Sequence, residues 1–221
     1  MALMYRQQPE GLDLFCGGGG CTKGYQQAGF RMTGVDTKPQ PHYCGDEFYL
    51  MDALEFLRTQ DLSQYAFIHA SPPCQGYSRM RHLPWLKGKK YELLIEPVRH
   101  LLIEIGKPYV IENVSDAPIL GVELCGAAFG LPLIRHRRFE CSPFFLFPPC
   151  PGHPILFKGR ANMSKYGRGA GVMGVVGNDQ KAALGIDWMT GREMRQAVPP
   201  AYTRFIGGEF MRLVVATRYG V

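Results

Sequence analysis

A cysteine, a glutamate and a pair of arginines, each beside a short apolar or aromatic run, are the groups in this chain that could carry covalent chemistry. Cys74 lies in Ala70-Ser71-Pro72-Pro73-Cys74-Gln75-Gly76-Tyr77-Ser78, where two prolines stop the preceding run and fix φ for the residues that follow. A thiolate held at such a turn is a candidate nucleophile, although cysteine also serves as a small buried apolar residue. Glu112 ends the run Tyr109-Val110-Ile111, and a carboxylate closing a buried strand needs either a structural partner or a ligand. Arg135, Arg137 and Arg138 fall within four positions. On an extended segment Arg135 and Arg137 share one side and Arg138 takes the other, so the first two could hold an anion or a polar base edge.

These residues need elements to aim them at one place. Tyr65-Ala66-Phe67-Ile68-His69 is short, aromatic and β-branched, the pattern of a buried strand in a parallel sheet. Gly11-Leu12-Asp13-Leu14-Phe15-Cys16 reads as a first strand running into Gly17-Gly18-Gly19-Gly20, with a helix over 22–28 ended by Gly29. Strand, glycine turn and helix form a nucleotide-type binding unit. Met32-Thr33-Gly34-Val35-Asp36 ends in a carboxylate where such folds place the acceptor for ribose hydroxyls. A third polar strand end follows at Leu50-Met51-Asp52, before a helical stretch from Ala53. Asp36 as a turn residue and Asp52 as a helix N-cap are the structural alternatives. Glu92 to Ile105 has helical periodicity, with Leu93, Leu94, Val98, Leu101, Leu102 and Ile105 on the packing face and Pro97 as a possible kink. Short helices are expected over 192–196 and 202–218. The fold class is therefore α/β and Rossmann-like.

Between the Cys74 turn and that long helix, residues 79–90 are basic and broken by Pro84 and Gly88, a surface loop able to grip phosphates. From Ser142 to Asp187 prolines and then glycines dominate, with Lys158, Arg160, Lys165 and Arg168 among them. The expected organisation is a main domain over 1–141 and 188–221, with 142–187 as a short irregular insert.

The chain has 221 residues, 25 Lys plus Arg against 19 Asp plus Glu, and a net charge of +6, which favours an anionic partner. No run approaches the roughly 18 apolar residues of a membrane helix, and no leader pattern opens the chain, so an intracellular protein is expected. Its seven cysteines are scattered without a CxxC pair, which suits reduced thiols. Cys141, Cys150 and His153 match no familiar zinc spacing, and no metal is expected.

Taken in order, these motifs resemble the cytosine-C5 DNA methyltransferases over most of 11–140 and again over 189–207. Asp13-Leu14-Phe15-Cys16-Gly17-Gly18-Gly19 is similar to the family's S-adenosylmethionine motif, Pro72-Pro73-Cys74 to its nucleophile motif, Glu112-Asn113-Val114 to its acid motif and Arg135-His136-Arg137 to its arginine motif. The resemblance implies that Cys74 adds to C6 of cytosine, Glu112 serves the N3 side, and Arg137, with Arg135 beside it, binds the O2 edge. It implies a cofactor site of Asp13, Phe15 (stacked on adenine), Gly17, Gly19, Asp36 (ribose), Asp52 (adenine amino group) and Pro72. The partner implied is duplex DNA with its target base flipped out, held by Gln75, Ser78, Arg79, Arg81, Lys87, Lys89, Lys90, Arg160, Lys165 and Arg168. A monomer acting in the cytoplasm, similar to compact bacteriophage-encoded members, is the expected setting.

The chain departs from the family in two motifs. Leu133 stands where the arginine motif usually begins with Gln, and Ile206-Gly207-Gly208-Glu209 replaces the C-terminal Gly-Asn-Ser/Ala-Val signature. The insert is also short for a target-recognition domain, which implies a short or relaxed recognition sequence. RNA as substrate, a modified methyl donor, and a non-catalytic DNA-binding homologue are the alternatives.

Overall fold

A computed structural model describes residues 8–78, 83–84, 88–152 and 179–219. The apolar runs become seven strands, β1 Glu10–Leu14, β2 Arg31–Asp36, β3 Glu47–Leu50, β4 Tyr65–Ala70, β5 Tyr109–Asn113, β6 Val122–Leu124 and β7 Arg137–Ser142. They build one sheet of order β3-β2-β1-β4-β5-β7-β6. The first five are parallel, and β7 runs antiparallel to both β5 and β6. Among the described residues six helices accompany them: α1 Gly20–Gln27, α2 Ala53–Thr59, α3 Ile95–Ile105, α4 Gln180–Leu184, α5 Gly191–Met194 and α6 Pro200–Tyr219.

Both faces of the sheet are covered, which is why β1, β4 and β5 read as nearly unbroken apolar runs. Alternate residues go to opposite faces. Leu12, Leu14, Ile68 and Ile111 meet Phe56 of α2 and Val98 and Leu102 of α3. Met32, Phe67 and Val110 meet Tyr25 of α1 and Tyr202, Ile206 and Phe210 of α6. The contact of α1 with α6 is close: a methyl group at Gly24 would lie 2.1 Å from Thr203 Oγ1 and 2.2 Å from the Pro200 carbonyl oxygen.

The long helix differs from its sequence pattern at one end. It starts at Ile95, so Leu93 lies outside it and is 57% exposed. Pro97 then falls in the first turn, where a missing N–H breaks no intrahelical bond, and no kink is required. Within the span expected to be irregular, α4 forms, and Leu184 and Ile186 pack with Leu133, Met189 and Met194 in a small third cluster.

Leu14 pairs with Val35 on one side and Ala70 on the other, and Ala70 with Ile111. The carboxyl ends of β1, β2, β4 and β5 are thus level. Strand order reverses between β1 and β4, which opens the crevice where doubly wound sheets take ligands.

Candidate active site

The first wall of the crevice is the glycine turn between β1 and α1. Phe15 has φ 59°, in the left-handed region unusual for a side-chain-bearing residue, a departure of the kind found where a ligand site over-determines the backbone. Gly19 follows at φ 85°. A methyl group at Gly20 would lie 2.5 Å from the Val198 carbonyl oxygen, so the turn needs glycine to admit the C-terminal segment. That segment caps the turn: Trp188 Nε1 donates to the Gly18 carbonyl at 2.8 Å, and Met189 packs on Gly18. At its other edge Cys44 Sγ donates to the Gly19 carbonyl at 3.2 Å.

Three carboxylates belong to this half of the sheet and differ in their partners. Asp36 accepts from the Gly17 amide at 3.1 Å and the Lys38 amide at 3.0 Å, fixing the end of β2 against the turn. Asp52 accepts from the Leu54 and Glu55 amides at 2.9 and 3.0 Å and so caps α2, as one sequence alternative had it. Asp13 is 1% exposed. Its Oδ2 accepts from Thr22 Oγ1 at 2.5 Å, while Oδ1 is buried without a partner. Burial pushes this carboxyl from 3.8 up to about 7, with Asp36 and Glu112 adding to the rise against the Thr22 hydrogen bond. An unpartnered acceptor of this kind suits a ligand bearing a cationic or donor group, and the neighbouring glycine turn suits close approach to its backbone.

The second wall carries Cys74, Glu112 and Arg137. Beyond β4, Ser71 donates its amide to the Leu14 carbonyl at 3.2 Å, and Pro72 is buried. Asn113, the last residue of β5, donates Nδ2 to the Pro72 carbonyl at 2.8 Å and accepts from the Val114 amide at 3.0 Å. This pins the proline turn to the end of β5. Tyr77 and Ser78 amides donate to the Cys74 carbonyl at 3.0 and 2.9 Å, which leaves the half-buried Cys74 at the head of a tight turn.

Glu112 on β5 meets Arg137 on β7, Nε to Oε1 at 3.2 Å, both largely buried. Arg137 Nη1 also donates to the His136 carbonyl at 2.8 Å. Burial pushes the Glu112 carboxyl upward; Arg137, a hydrogen bond from Ser71 and Arg135 oppose the rise. The Cys74 thiol is also pushed up by burial and by the Glu112 charge, with Arg137, a backbone hydrogen bond and Arg135 pulling it down. A nearby basic group favours thiolate, but in the resting chain desolvation outweighs it.

Arg135 and Arg137 both act on Cys74 and Glu112, but their fixings differ. Arg135 Nη2 donates to the Arg195 carbonyl at 2.6 Å, and Tyr202 donates to the Arg135 carbonyl at 2.5 Å. Burial, then Arg137, lowers the Arg135 guanidinium to about 9. It fastens the arginine loop to the C-terminal segment, whereas Arg137 faces the acid. Leu133, where a polar residue had been expected, is 1% exposed in the third cluster, and the surrounding apolar side chains account for its type.

Sequence reasoning left a polar chain behind Glu112 unread. Ser71 bonds Glu112 and lies 2.9 Å from His69 Nε2, whose Nδ1 lies 2.9 Å from Tyr25 Oη. His69 is fully buried and pushed down to about 3 by desolvation, hence neutral. The signal was present as a histidine and a serine flanking Ala70, but nothing in the sequence tells such a pair from strand filler. Of the residues expected to hold DNA, Gln75, Lys89 and Lys90 are exposed and Ser78 is half-buried. Arg79, Arg81, Lys87, Arg160, Lys165 and Arg168 lie outside the described residues, as does His153.

The sheet order and the glycine turn define a Rossmann-like α/β domain. Over 94% of this chain and 99% of the other, it superposes on Entamoeba histolytica methyltransferase EhMeth with a TM-score of 0.55 at 13% identity. Residues 10–117 match the model of the C-5 cytosine-specific DNA methylases. It is 28% identical over 128 residues to the type II methyltransferase M1.HphI of Haemophilus parahaemolyticus, covering 51% of this chain and 34% of that one. With M.AgeI of Thalassovita gelatinovora it shares 26% over 179 residues, covering 64% and 42%. The matched region thus spans between a third and about two-fifths of these two relatives. Among the described residues no helix is long and apolar enough to cross a membrane.

Proposed function

We propose that this chain methylates C5 of cytosine in DNA, with Cys74 as nucleophile and S-adenosylmethionine as methyl donor. The observation that carries the reading is the convergence of Cys74, Glu112 and Arg137 from three separate elements beside the glycine turn. C5 of cytosine is a weak nucleophile. Addition of the Cys74 thiolate at C6, with N3 taking a proton from Glu112, converts the ring to an enamine nucleophilic at C5. A carboxyl pushed upward by burial is suited to be the acid in that step. Arg137, held against Glu112, is placed to bond the O2 edge and to favour thiolate as the adduct forms. After transfer, loss of the C5 proton, expulsion of Cys74 as thiolate and return of the N3 proton to Glu112 restore the aromatic ring and the starting enzyme.

The bound donor supplies an electrophilic methyl group. Asp13, with one buried oxygen unpartnered, and the backbone of the glycine turn fit a cationic nucleoside-bearing ligand. Asp36 has capacity for ribose hydroxyls, since each carboxylate oxygen can accept twice, and Phe15 offers a ring at the same edge. Asp52, through the oxygen not engaged in its cap, is the adenine-side contact. Reaching C6 requires the base to leave the duplex stack. The basic loop around Lys89 and Lys90 and the 142–187 insert are the DNA contacts in this reading.

The test is a covalent trap. Purified protein and Cys74→Ala are incubated with S-adenosylmethionine and duplex DNA containing 5-fluorocytosine, whose C5 substituent cannot leave as a proton. A denaturant-resistant adduct carrying the added methyl mass, in the wild type only, is expected. An adduct on fluorinated RNA instead of DNA moves the substrate to RNA, and none on either removes the catalytic reading.

A further inference from the structure

Outside the reactive site, Cys125, His136 and Cys150 each bring one ligand atom to within 4.8 Å of the others. They come from three different stretches. Cys125 follows β6 at the start of the 3-10 turn Gly126–Phe129, His136 sits between the two site arginines, and Cys150 lies near the root of the 142–187 insert. Cys125 is buried and the other two half-buried. The two sulfurs already interact. On the outer side of the cluster, Glu123 Oε1 lies 3.9 Å from His136 Nε2, a carboxylate able to complete the ligand set or to orient the imidazole.

The chemistry of this donor set is specific. Two thiols and an imidazole select a borderline-soft divalent cation over a hard one, and tetrahedral zinc takes sulfur at about 2.3 Å and nitrogen at about 2.0–2.1 Å. Those bond lengths put neighbouring ligand atoms roughly 3.4–3.8 Å apart at a tetrahedral angle. Side-chain adjustment of about 1 Å, without movement of the strands, therefore closes the cluster on a metal.

We propose that Cys125, His136 and Cys150 form a structural zinc site that clamps the root of the 142–187 insert to the loop bearing Arg135 and Arg137. Binding displaces both thiol protons to solvent, and the two thiolates neutralise the cation. The site is separate from Cys74, so the metal takes no part in the covalent step. Its effect on the active site runs through the backbone: the His136 carbonyl accepts from Arg137, and fixing His136 fixes that acceptor. Only this last consequence rests on the function proposed above; the metal site itself does not.

The test measures metal directly, on the full chain carrying no histidine tag. After dialysis against zinc under reductant and then against buffer, the wild type is expected to hold one zinc per chain by elemental mass spectrometry. Cobalt in its place should show thiolate-to-metal charge-transfer absorption. Cys150→Ser and Cys125→Ser are expected to lose most of the zinc, and Cys44→Ser to keep it. Chelation should lower the Tm of the wild type but not that of Cys150→Ser. Because Cys150 is half-buried and lies outside every strand, that variant carries the test even if Cys125→Ser fails to fold. Failure of the wild type to retain zinc, equal loss in Cys44→Ser and Cys150→Ser, or a Cys125–Cys150 disulfide with no metal uptake after reduction each overturns the proposal.

Discussion

Asp13 offers a measurable link between the stability of the domain and the polarity of its crevice. Its carboxyl stands at about 7 in the folded chain against 3.8 for an ordinary aspartate. A carboxyl raised on folding binds more protons native than unfolded, so its contribution to stability falls as pH rises between those two values and is constant outside them. At about 1.4 kcal/mol for each pH unit separating them, the raised carboxyl costs ~4 kcal/mol above neutrality, where it is ionised, and ~1.6 kcal/mol near pH 5, where only the unfolded chain ionises it. Asp13→Asn removes the charge and keeps an oxygen to accept from Thr22. Urea denaturation of both proteins, which share every other titrating group, isolates this one site. The advantage of the variant is expected to grow by about 2–3 kcal/mol between roughly pH 5 and pH 8. A difference that does not change with pH, or one that shrinks, refutes a raised Asp13. A cationic group seated against Oδ1 would expel the proton. Calorimetric titration of S-adenosylmethionine near pH 7 is then expected to release about half a proton, seen as a dependence of the heat on buffer ionisation enthalpy, and Asp13→Asn to release none.

Cys74 alkylation by iodoacetamide, followed against pH, should move in opposite directions in two variants. Arg137→Met removes a positive neighbour and raises the midpoint; Glu112→Gln removes a negative one and lowers it. Equal or same-signed movements would mean that the thiol does not sense these groups. Asn113→Ala frees the Pro72 carbonyl; turnover is expected to fall with little change in cofactor affinity, checked by single-turnover methylation beside equilibrium binding of S-adenosylhomocysteine. At the far end of β7, Glu140 is bound by Arg99 at 2.7–3.2 Å, both nearly buried. Glu140→Leu should cost up to about 3 kcal/mol in denaturation, since it leaves the Arg99 guanidinium with only Glu96 and the Pro118 carbonyl, and Arg99→Met added to it should recover much of that loss.

What could be read in advance depended on whether a residue's role was set locally. The strands were legible because burial on both faces demands unbroken apolar runs. Asp36, Cys74 and Glu112 stood out because each closes or follows such a run, and Arg137 because three arginines fall within four positions; the structure brings Cys74, Glu112 and Arg137 together. Fixings that depend on a distant partner were not: the Arg135 guanidinium ends on the Arg195 carbonyl, Trp188 on the Gly18 carbonyl, and Ser71 joins Glu112 to His69. The direction of the Cys74 shift was equally out of reach, since counting nearby charges says nothing about how far packing removes the thiol from water. The thiol cluster illustrates the same limit most sharply. Spacing suggested Cys141, Cys150 and His153 as a metal trio to be weighed and set aside, yet Cys141 packs against the α1–α6 side of the core. Cys150 instead meets Cys125 and His136, because the antiparallel pairing of β6 with β7 lays Leu124 beside Arg137. That pairing brings the ends of two strands together on either side of a loop. The sheet register, which no local pattern encodes, puts Cys125 beside His136, and the chain beyond β7 returns Cys150 to them.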